Sequence, residues 1–196
     1  MQFWFEFAST YSYPAAMRIE AAAASRGVAI AWRPFLLGPI FAAQGWDDSP
    51  FNLQPTKGRY MWRDLERRCA GYGLPLRRPA KFPRSGLLAA RIAFMASGEP
   101  WLPAFVRAVY HANFAEDRNI TDRSVIEDVL DGLGLPAADW LACGEGEAAK
   151  AGLRAQTQEA QRLGIFGAPS FIVAGELFWG DDRLEDALDW HLRHAA

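Results

Sequence analysis

A serine placed where a strand gives way to a helix is the first residue whose type and position could do chemistry. Ser9 follows an aromatic run, residues 5–8, and the helical pattern begins two residues later. A hydroxyl there has two interpretations. It caps the helix by accepting a backbone N–H bond, or it donates to an anion, such as a thiolate or carboxylate, that the free N–H groups and the helix dipole also stabilise. This segment alone leaves both open.

Two motifs near the end of the chain could join such a site. Residues 166–170 read Phe-Gly-Ala-Pro-Ser before a strand. This is typical of a rigid turn, and about 5–6% of X–Pro bonds are cis. Asp181, Asp182 and Arg183 open the last helix, where acidic residues cap the helix and suit its dipole. Taken singly, each motif has a structural explanation.

Charge and composition limit the classes of partner that such a site can bind. The 196 residues carry 21 Lys and Arg against 23 Asp and Glu, a formal net charge of −2, which argues against a nucleic-acid partner. No stretch reaches the roughly 18 apolar residues that cross a bilayer, and the N-terminus lacks the basic region of a signal peptide. We expect no membrane partner and a cytoplasmic location.

The cysteines and histidines do not form a metal or disulfide motif. Cys69 and Cys143 lie 74 positions apart, which is neither a metal-ligand nor a redox spacing. The histidines show no ligand spacing with one another or with the cysteines; they are His111, His191 and His194. We therefore predict no metal site.

The periodicity of the two ends predicts a β-α-β start and a β-β-α finish. Phe3, Phe5 and Phe7 alternate with other residues, which indicates a strand. A helix should follow from residue 11 to residue 27, then a second strand over 28–37, parallel to the first. Strands over 170–173 and 177–179 and a final helix complete the expected order.

The middle of the chain predicts an all-helical insertion. We expect helices over 58–72, 85–97, 101–114, 122–133 and 145–163, with Thr121 as the N-cap of the fourth. The chain is then an α/β protein in two parts. Residues 1–50 and 164–196 form one domain, and residues 51–163 form a helical domain inserted into it.

This order of elements resembles the thioredoxin fold, and more closely its DsbA-like branch, in which a helical domain is inserted between the two halves. Redox members of that branch carry Cys-x-x-Cys where this chain has Ser9-Thr10-Tyr11-Ser12. Two serines cannot form a disulfide. The resemblance therefore excludes dithiol chemistry at this position.

With serines at these two positions, the chain resembles two related families, the 2-hydroxychromene-2-carboxylate isomerases and the kappa-class glutathione transferases. The resemblance covers nearly the whole chain and depends on an ordered set of motifs. The set comprises Phe5-Glu6-Phe7-Ala8-Ser9, Ser12-Tyr13, Asn52, Pro55-x-Lys57-Gly58-x-Tyr60, residues 166–169 and residues 179–183.

The resemblance implies a glutathione site. Ser9 would hold the glutathione sulfur. Ala168, before a cis Pro169, would offer its backbone N–H and C=O to the cysteinyl unit, as in strand addition. The backbone N–H groups of Asp181 and Asp182 would bind the γ-glutamyl carboxylate, and the Asp182 side chain its ammonium. The reactive sulfur would thus arrive with glutathione.

The resemblance implies glutathione-dependent cis–trans isomerisation of 2-hydroxychromene-2-carboxylate or a related aromatic pyruvate. The reaction would belong to aromatic-compound degradation, and the enzyme would be a homodimer. Asn52 would lie near the sulfur and the substrate, and Trp46 and Phe51 are candidates for lining an aromatic pocket. Two alternatives stay open. A kappa-class-like glutathione transferase would keep the same site, and a non-catalytic thioredoxin-fold binding protein would have lost its chemistry with its cysteines.

The chain departs from the isomerase pattern in two places. Thr10 stands where the isomerases have a proline after the serine, and residues 38–43 contain no lysine where the isomerases have one. A substrate carboxylate usually binds a cation. Three basic residues of the next helix either supply that cation or form a solvated face; they are Lys57, Arg59 and Arg63.

Overall fold

The fold is built around a four-stranded mixed sheet, in a computed structural model that describes residues 1–194. The strands are β1 (Gln2–Phe5), β2 (Ala31–Pro34), β3 (Ser170–Val173) and β4 (Glu176–Trp179), in the order β2-β1-β3-β4. β1 is parallel to β2 and antiparallel to β3, which pairs antiparallel with β4. The predicted α/β class is confirmed. Strand β2 is shorter than predicted at both ends, and a helix already begins at Leu37.

Ten α-helices and one 3₁₀ turn lie within the described part of the chain. They are α1 (Ser12–Ala24), α2 (Leu37–Ala43), α3 (Pro50–Leu53), α4 (Pro55–Tyr72), α5 (Leu87–Met95), α6 (Leu102–Phe114), α7 (Arg123–Gly132), α8 (Ala137–Glu145), α9 (Glu147–Arg162), the 3₁₀ turn Asp181–Arg183 and α10 (Leu184–His194). Helices α4 to α7 and α9 match the predicted ones closely. None of the described helices is both long and apolar enough to span a bilayer.

Three helices were not predicted, and one predicted cap is wrong. Helices α2 and α3 contain proline in the first turn, where its missing N–H costs nothing, and α8 follows Pro136 directly. Asp122, not Thr121, occupies the N-cap of α7, and its side chain makes no capping bond. The Thr121 hydroxyl instead donates to the carbonyl of Ser85 at 3.3 Å, an acceptor that only the tertiary structure supplies.

The central strand β1 is buried on both faces. Phe3 stacks on Phe171 of β3 with ring centroids 5.5 Å apart, as the alternation predicts. Trp4, on the opposite face, is only 2% exposed and packs edge-on against Phe35 at 6.1 Å. That second face is covered because Ala160 of α9 belongs to the same apolar cluster. A helix of the middle segment therefore completes the sheet's second layer.

Stacked aromatic rings join α1 to α6, a helix of the middle segment. Tyr13 of α1 stacks on Phe114 of α6 at 5.6 Å, and Tyr110 of α6 stacks on Phe114 at 6.4 Å. All three are fully buried, and burying a side chain of this size contributes about 1.5–3 kcal/mol. This packing fixes the start of α1. The division into residues 1–50 with 164–196 and residues 51–163 stays a prediction.

The junction of α3 and α4 requires a glycine. A Cβ on Gly58 would lie 2.2 Å from the backbone oxygen of Phe51, so any side chain there would force the two helices apart. The close approach holds Phe51 next to Lys57, which precedes Gly58 in α4. The glycine of the Lys57-Gly58 motif is therefore required by the packing of α4 against Phe51.

Candidate active site

A cavity of about 760 Å³ lies at the end of β1. Five parts of the chain contribute to its mostly apolar wall: Glu6 with residues 8–11, most of residues 36–51, Lys57 with Tyr60 and Met61, residues 82–87, and residues 166–168 together with Trp179. We call it the central cavity. It brings the strand–helix junction of the first half together with the Gly-Ala-Pro segment of the second half.

The Ser9 hydroxyl connects these two halves directly. Its Oγ donates to the backbone carbonyl of Ala168 at 2.9 Å and accepts the backbone N–H of Ser12 at 3.3 Å. Tyr11, not Ser9, is the N-cap residue of α1, and its side chain makes no capping bond. The hydroxyl thus accepts one free N–H of the helix start, while its single proton can be redirected toward a ligand.

The Gly-Ala-Pro segment forms the opposite edge of the cavity. The Ala168–Pro169 peptide bond is cis, as the resemblance implied. Phe166 and Trp179 flank it with ring centroids 4.8 Å apart, and both are about half exposed. A Cβ on Gly167 would lie 2.4 Å from the Trp179 indole nitrogen, so a side chain there would displace the Trp179 ring. The two rings form an aromatic rim beside Ser9.

A buried acid, Glu6, lines the cavity beside Ser9. Glu6 is 9% exposed, and its carboxyl accepts the backbone N–H of Ala8 at 2.9 Å. Burial raises the pKa of Glu6 to about 8, against the lowering effect of the Ala8 and Ser9 N–H groups. At neutral pH this side chain is mostly uncharged, so it puts little negative charge next to Ser9. The sequence alone predicts no role for Glu6, although an acid within an aromatic run is an unusual feature.

Asp181 is buried in a network of ion pairs. Its side chain is fully buried and contacts Arg18 of α1 at 2.9 Å and Arg68 of α4 at 3.1 Å. The Tyr72 hydroxyl donates to the same carboxyl at 3.3 Å. Desolvation raises the pKa of Asp181, which the two guanidinium groups oppose. The Asp181 side chain therefore fixes the 3₁₀ turn to α1 and α4 and is not available to a ligand.

Asp182 and Asn52 lie outside the wall of the central cavity. The Asp182 side chain is 45% exposed and pairs with Arg183 at 3.0 Å, while Arg68 lies 3.9 Å away. The Asn52 amide is exposed and donates to Asp48 at 3.0 Å and to the carbonyl of Phe82 at 3.3 Å. The structure thus brings Ser9 and Ala168 into contact, but it does not bring Asn52 to the cavity.

The two loop residues predicted to line an aromatic pocket do line the central cavity, whereas the two cysteines do not. Trp46 and Phe51 both form part of the wall. Cys69 and Cys143 are free thiols. Burial raises the pKa of Cys69 to about 12, so its thiol is uncharged and unreactive at neutral pH. The cavity itself contains no sulfur nucleophile from the described chain.

Replacing Asp181 with asparagine should lower the free energy of unfolding by about 2–3 kcal/mol, because Arg18 and Arg68 lose the partner of a buried ion pair. Urea unfolding at neutral pH measures the change. Asp182→Asn is the matched control: that neighbouring carboxyl is half exposed, and its pairs contribute less than about 1 kcal/mol. Equal stability of both variants would contradict the structural role given to Asp181.

The sheet order, the helices between its halves and the site at the end of β1 define a class of protein, the DSBA-like thioredoxin domain. The family model described by that name matches residues 1–190. No redox-active cysteine pair lies at the strand–helix junction, where this chain has Ser9 and Ser12.

Within that class, the chain belongs to the 2-hydroxychromene-2-carboxylate isomerase family. It is 35% identical over 192 residues to the 2-hydroxychromene-2-carboxylate isomerase of Sphingobium xenophagum, with 94% of both chains covered. A solved structure of a 2-hydroxychromene-2-carboxylate isomerase matches it with a TM-score of 0.88 at 26% identity, covering 99% of this chain and 96% of that one. Glutathione s-transferase kappa 2 of Caenorhabditis elegans is 26% identical over 207 residues, covering 97% and 90% of the two chains. The resemblance predicted from the sequence is confirmed.

Proposed function

We propose that this protein is a glutathione-dependent cis–trans isomerase of 2-hydroxychromene-2-carboxylate or a related aromatic pyruvate. The contact between Ser9 and Ala168 at the edge of an aromatic-lined cavity carries the proposal. The names of its relatives support the same reaction. Because the cavity wall holds no cysteine, the thiol has to come from a bound molecule.

The residues at the end of β1 fit the cysteinyl unit of glutathione. Ser9 offers a hydroxyl donor, and Ala168 offers backbone groups before a cis proline. The Ser12 N–H at the start of α1 donates to the Ser9 oxygen and so holds that hydroxyl in place. The exposed Asp182 carboxylate suits the γ-glutamyl ammonium. When bound, glutathione would supply a thiolate that adds reversibly to a conjugated C=C bond and so permits rotation about it.

The chain's own contribution is to favour the negative charge on sulfur. A free thiol has a pKa near 8.5, so a thiolate at neutral pH needs stabilisation. The Ser9 proton would turn from the Ala168 carbonyl toward the sulfur, and the N-terminus of α1 would add its dipole. The mostly uncharged Glu6 avoids a repulsion that an ionised glutamate would create beside Ser9.

The aromatic wall would hold and orient the planar substrate. Trp46 and Phe51 form part of the cavity wall, and Phe166 and Trp179 form the rim beside Ala168. Apolar rings exclude water from the reacting bond, and this positioning reduces the entropic part of the barrier. Together these features support an isomerase for an aromatic substrate.

We expect the purified protein to convert 2-hydroxychromene-2-carboxylate to its trans ring-opened isomer only when glutathione is present. Absorbance follows the conversion, and thiol titration before and after many turnovers should show an unchanged amount of glutathione. A glutathione conjugate that accumulates with turnover would instead identify a transferase. Calorimetry that detects no glutathione binding would contradict both glutathione-dependent activities and would favour a non-catalytic binding protein.

A further inference from the structure

The substrate named in the proposed function carries a carboxylate, and the loop that would receive it is acidic. The cavity wall formed by residues 36–51 contains Asp47 and Asp48 and no basic residue. A carboxylate moved from water into an apolar cavity needs a cation or several donors. Any cation that binds this carboxylate must therefore come from another part of the wall.

Two basic residues of the described chain line the central cavity, Arg84 and Lys57. The Arg84 side chain is 5% exposed and forms an ion pair with Asp117. Its guanidinium also donates to the carbonyl of Arg118 at 3.0 Å and to the Asn113 side chain at 3.3 Å. The charge of Arg84 is thus neutralised inside the protein.

Lys57 is the basic residue whose charge stays available. It is exposed in the first turn of α4, and it forms no ion pair with any residue from 1 to 194. Its ammonium lies 5.9 Å from the ring centroid of Phe51, another residue of the wall. Gly58 permits this closeness, because it lets α4 touch the backbone of Phe51.

Arg59 and Arg63, the other two candidate cations in α4, make contacts away from the cavity. Arg59 donates to the Thr56 hydroxyl at 3.1 Å, and Arg63 pairs with Glu66 at 2.8 Å. Neither belongs to the cavity wall. Of the three basic residues that the sequence offered as alternatives, the structure leaves Lys57 as the one at the cavity.

We propose that Lys57 binds the carboxylate of the aromatic substrate and takes the place of the lysine that the loop after β2 lacks. This inference rests on the proposed function and names a specificity-determining residue for it. The ammonium would fix the carboxylate end of the substrate beside Phe51, while the rest of the molecule extends along the apolar wall toward Ser9. The glycyl carboxylate of glutathione has the same chemistry, so the test has to separate the two sources.

Binding of two probes to the glutathione-loaded protein tests Lys57 without catalysis. The probes are cinnamate and its uncharged analogue cinnamamide, titrated by calorimetry into wild type, Lys57→Gln and Lys57→Arg. We expect wild type to prefer cinnamate by about tenfold, Lys57→Gln to lose that preference and Lys57→Arg to keep most of it. Arg59→Gln removes the same charge two residues away and should leave the preference intact.

The glutathione affinity of the same variants shows whether Lys57 binds the carboxylate of the substrate or the glycyl carboxylate of glutathione. Lys57→Gln should change the glutathione Kd by less than about twofold and raise the KM for the carboxylated substrate by about tenfold. Weaker glutathione binding with an unchanged cinnamate preference would overturn the inference, and so would a cinnamate preference that survives Lys57→Gln. A wild-type protein that binds no glutathione would contradict the proposed function instead, and the probe preference in the unloaded protein would still test Lys57.

Discussion

Replacing Ser9 with alanine should lower kcat/KM for the glutathione-dependent reaction by about 10²- to 10³-fold, the usual effect of removing one donor that stabilises a developing or resident anion. Ser9 is the hydroxyl that contacts Ala168 at 2.9 Å and accepts the Ser12 N–H. Alanine removes the donor to the sulfur, and it also removes the acceptor of the Ser12 N–H. Initial rates at saturating glutathione, with the pH profile of the rate, measure the loss.

The pH profile separates a role in chemistry from a role in folding. Without Ser9 the glutathione thiol should ionise at higher pH, so the rate of Ser9→Ala should continue to rise above the pH at which wild type levels off. Ser12→Ala is the matched control, because Ser12 is also a buried hydroxyl of the same helix start. A Ser9→Ala variant that binds glutathione and keeps wild-type kcat/KM would refute the role assigned to Ser9.

Replacing Glu6 with glutamine should make the protein's stability much less dependent on pH. Between the ordinary glutamate pKa of 4.5 and the folded value of about 8, folded Glu6 holds a proton that the unfolded chain has released. Its contribution to stability is therefore complete below pH 4.5 and is lost as the pH rises to about 8. Each pKa unit corresponds to about 1.4 kcal/mol, so wild type should lose roughly 4 kcal/mol relative to Glu6→Gln between pH 5 and pH 8.

Urea unfolding of both proteins at a series of pH values measures this difference. Glutamine keeps an oxygen that can accept the Ala8 N–H, so the change isolates the ionisation rather than the hydrogen bond. Glu176→Gln, which removes an exposed acid from β4, controls for the loss of one carboxyl group. A difference between wild type and Glu6→Gln that stays constant from pH 5 to pH 8 would show that Glu6 is ionised in the folded protein.

Local sequence features predicted the elements that carry the site. The helices of the middle segment and the strands at both ends follow from residue periodicity and from the glycines and prolines between them. Helix α2 and helix α8 were missed, because prolines beside them look like helix breakers until their position in or before the first turn is known. The Thr121 cap was wrong because a distant carbonyl, that of Ser85, takes its hydroxyl.

The motifs assigned several distant residues to one site, and the structure brings only some of them together. Ser9 and Ala168 are 159 positions apart and are in contact, whereas Asn52 and Asp182 lie outside the cavity wall. Asp181 belongs to the same set of motifs, yet its side chain forms ion pairs with Arg18 and Arg68. The neutral state of Glu6 had no counterpart in the sequence reasoning, because a pKa of about 8 depends on burial by segments far from Glu6 in the chain.

The sequence by itself determined the α/β order of elements, the absence of a cysteine pair at the strand–helix junction and the family. These properties depend on residue type and on short-range spacing, which the chain displays directly. The tertiary structure alone decided that Lys57, rather than Arg59 or Arg63, reaches the cavity and that Glu6 is mostly uncharged beside Ser9. Both depend on how distant segments pack, because packing sets which side chains lose water and which charges find partners.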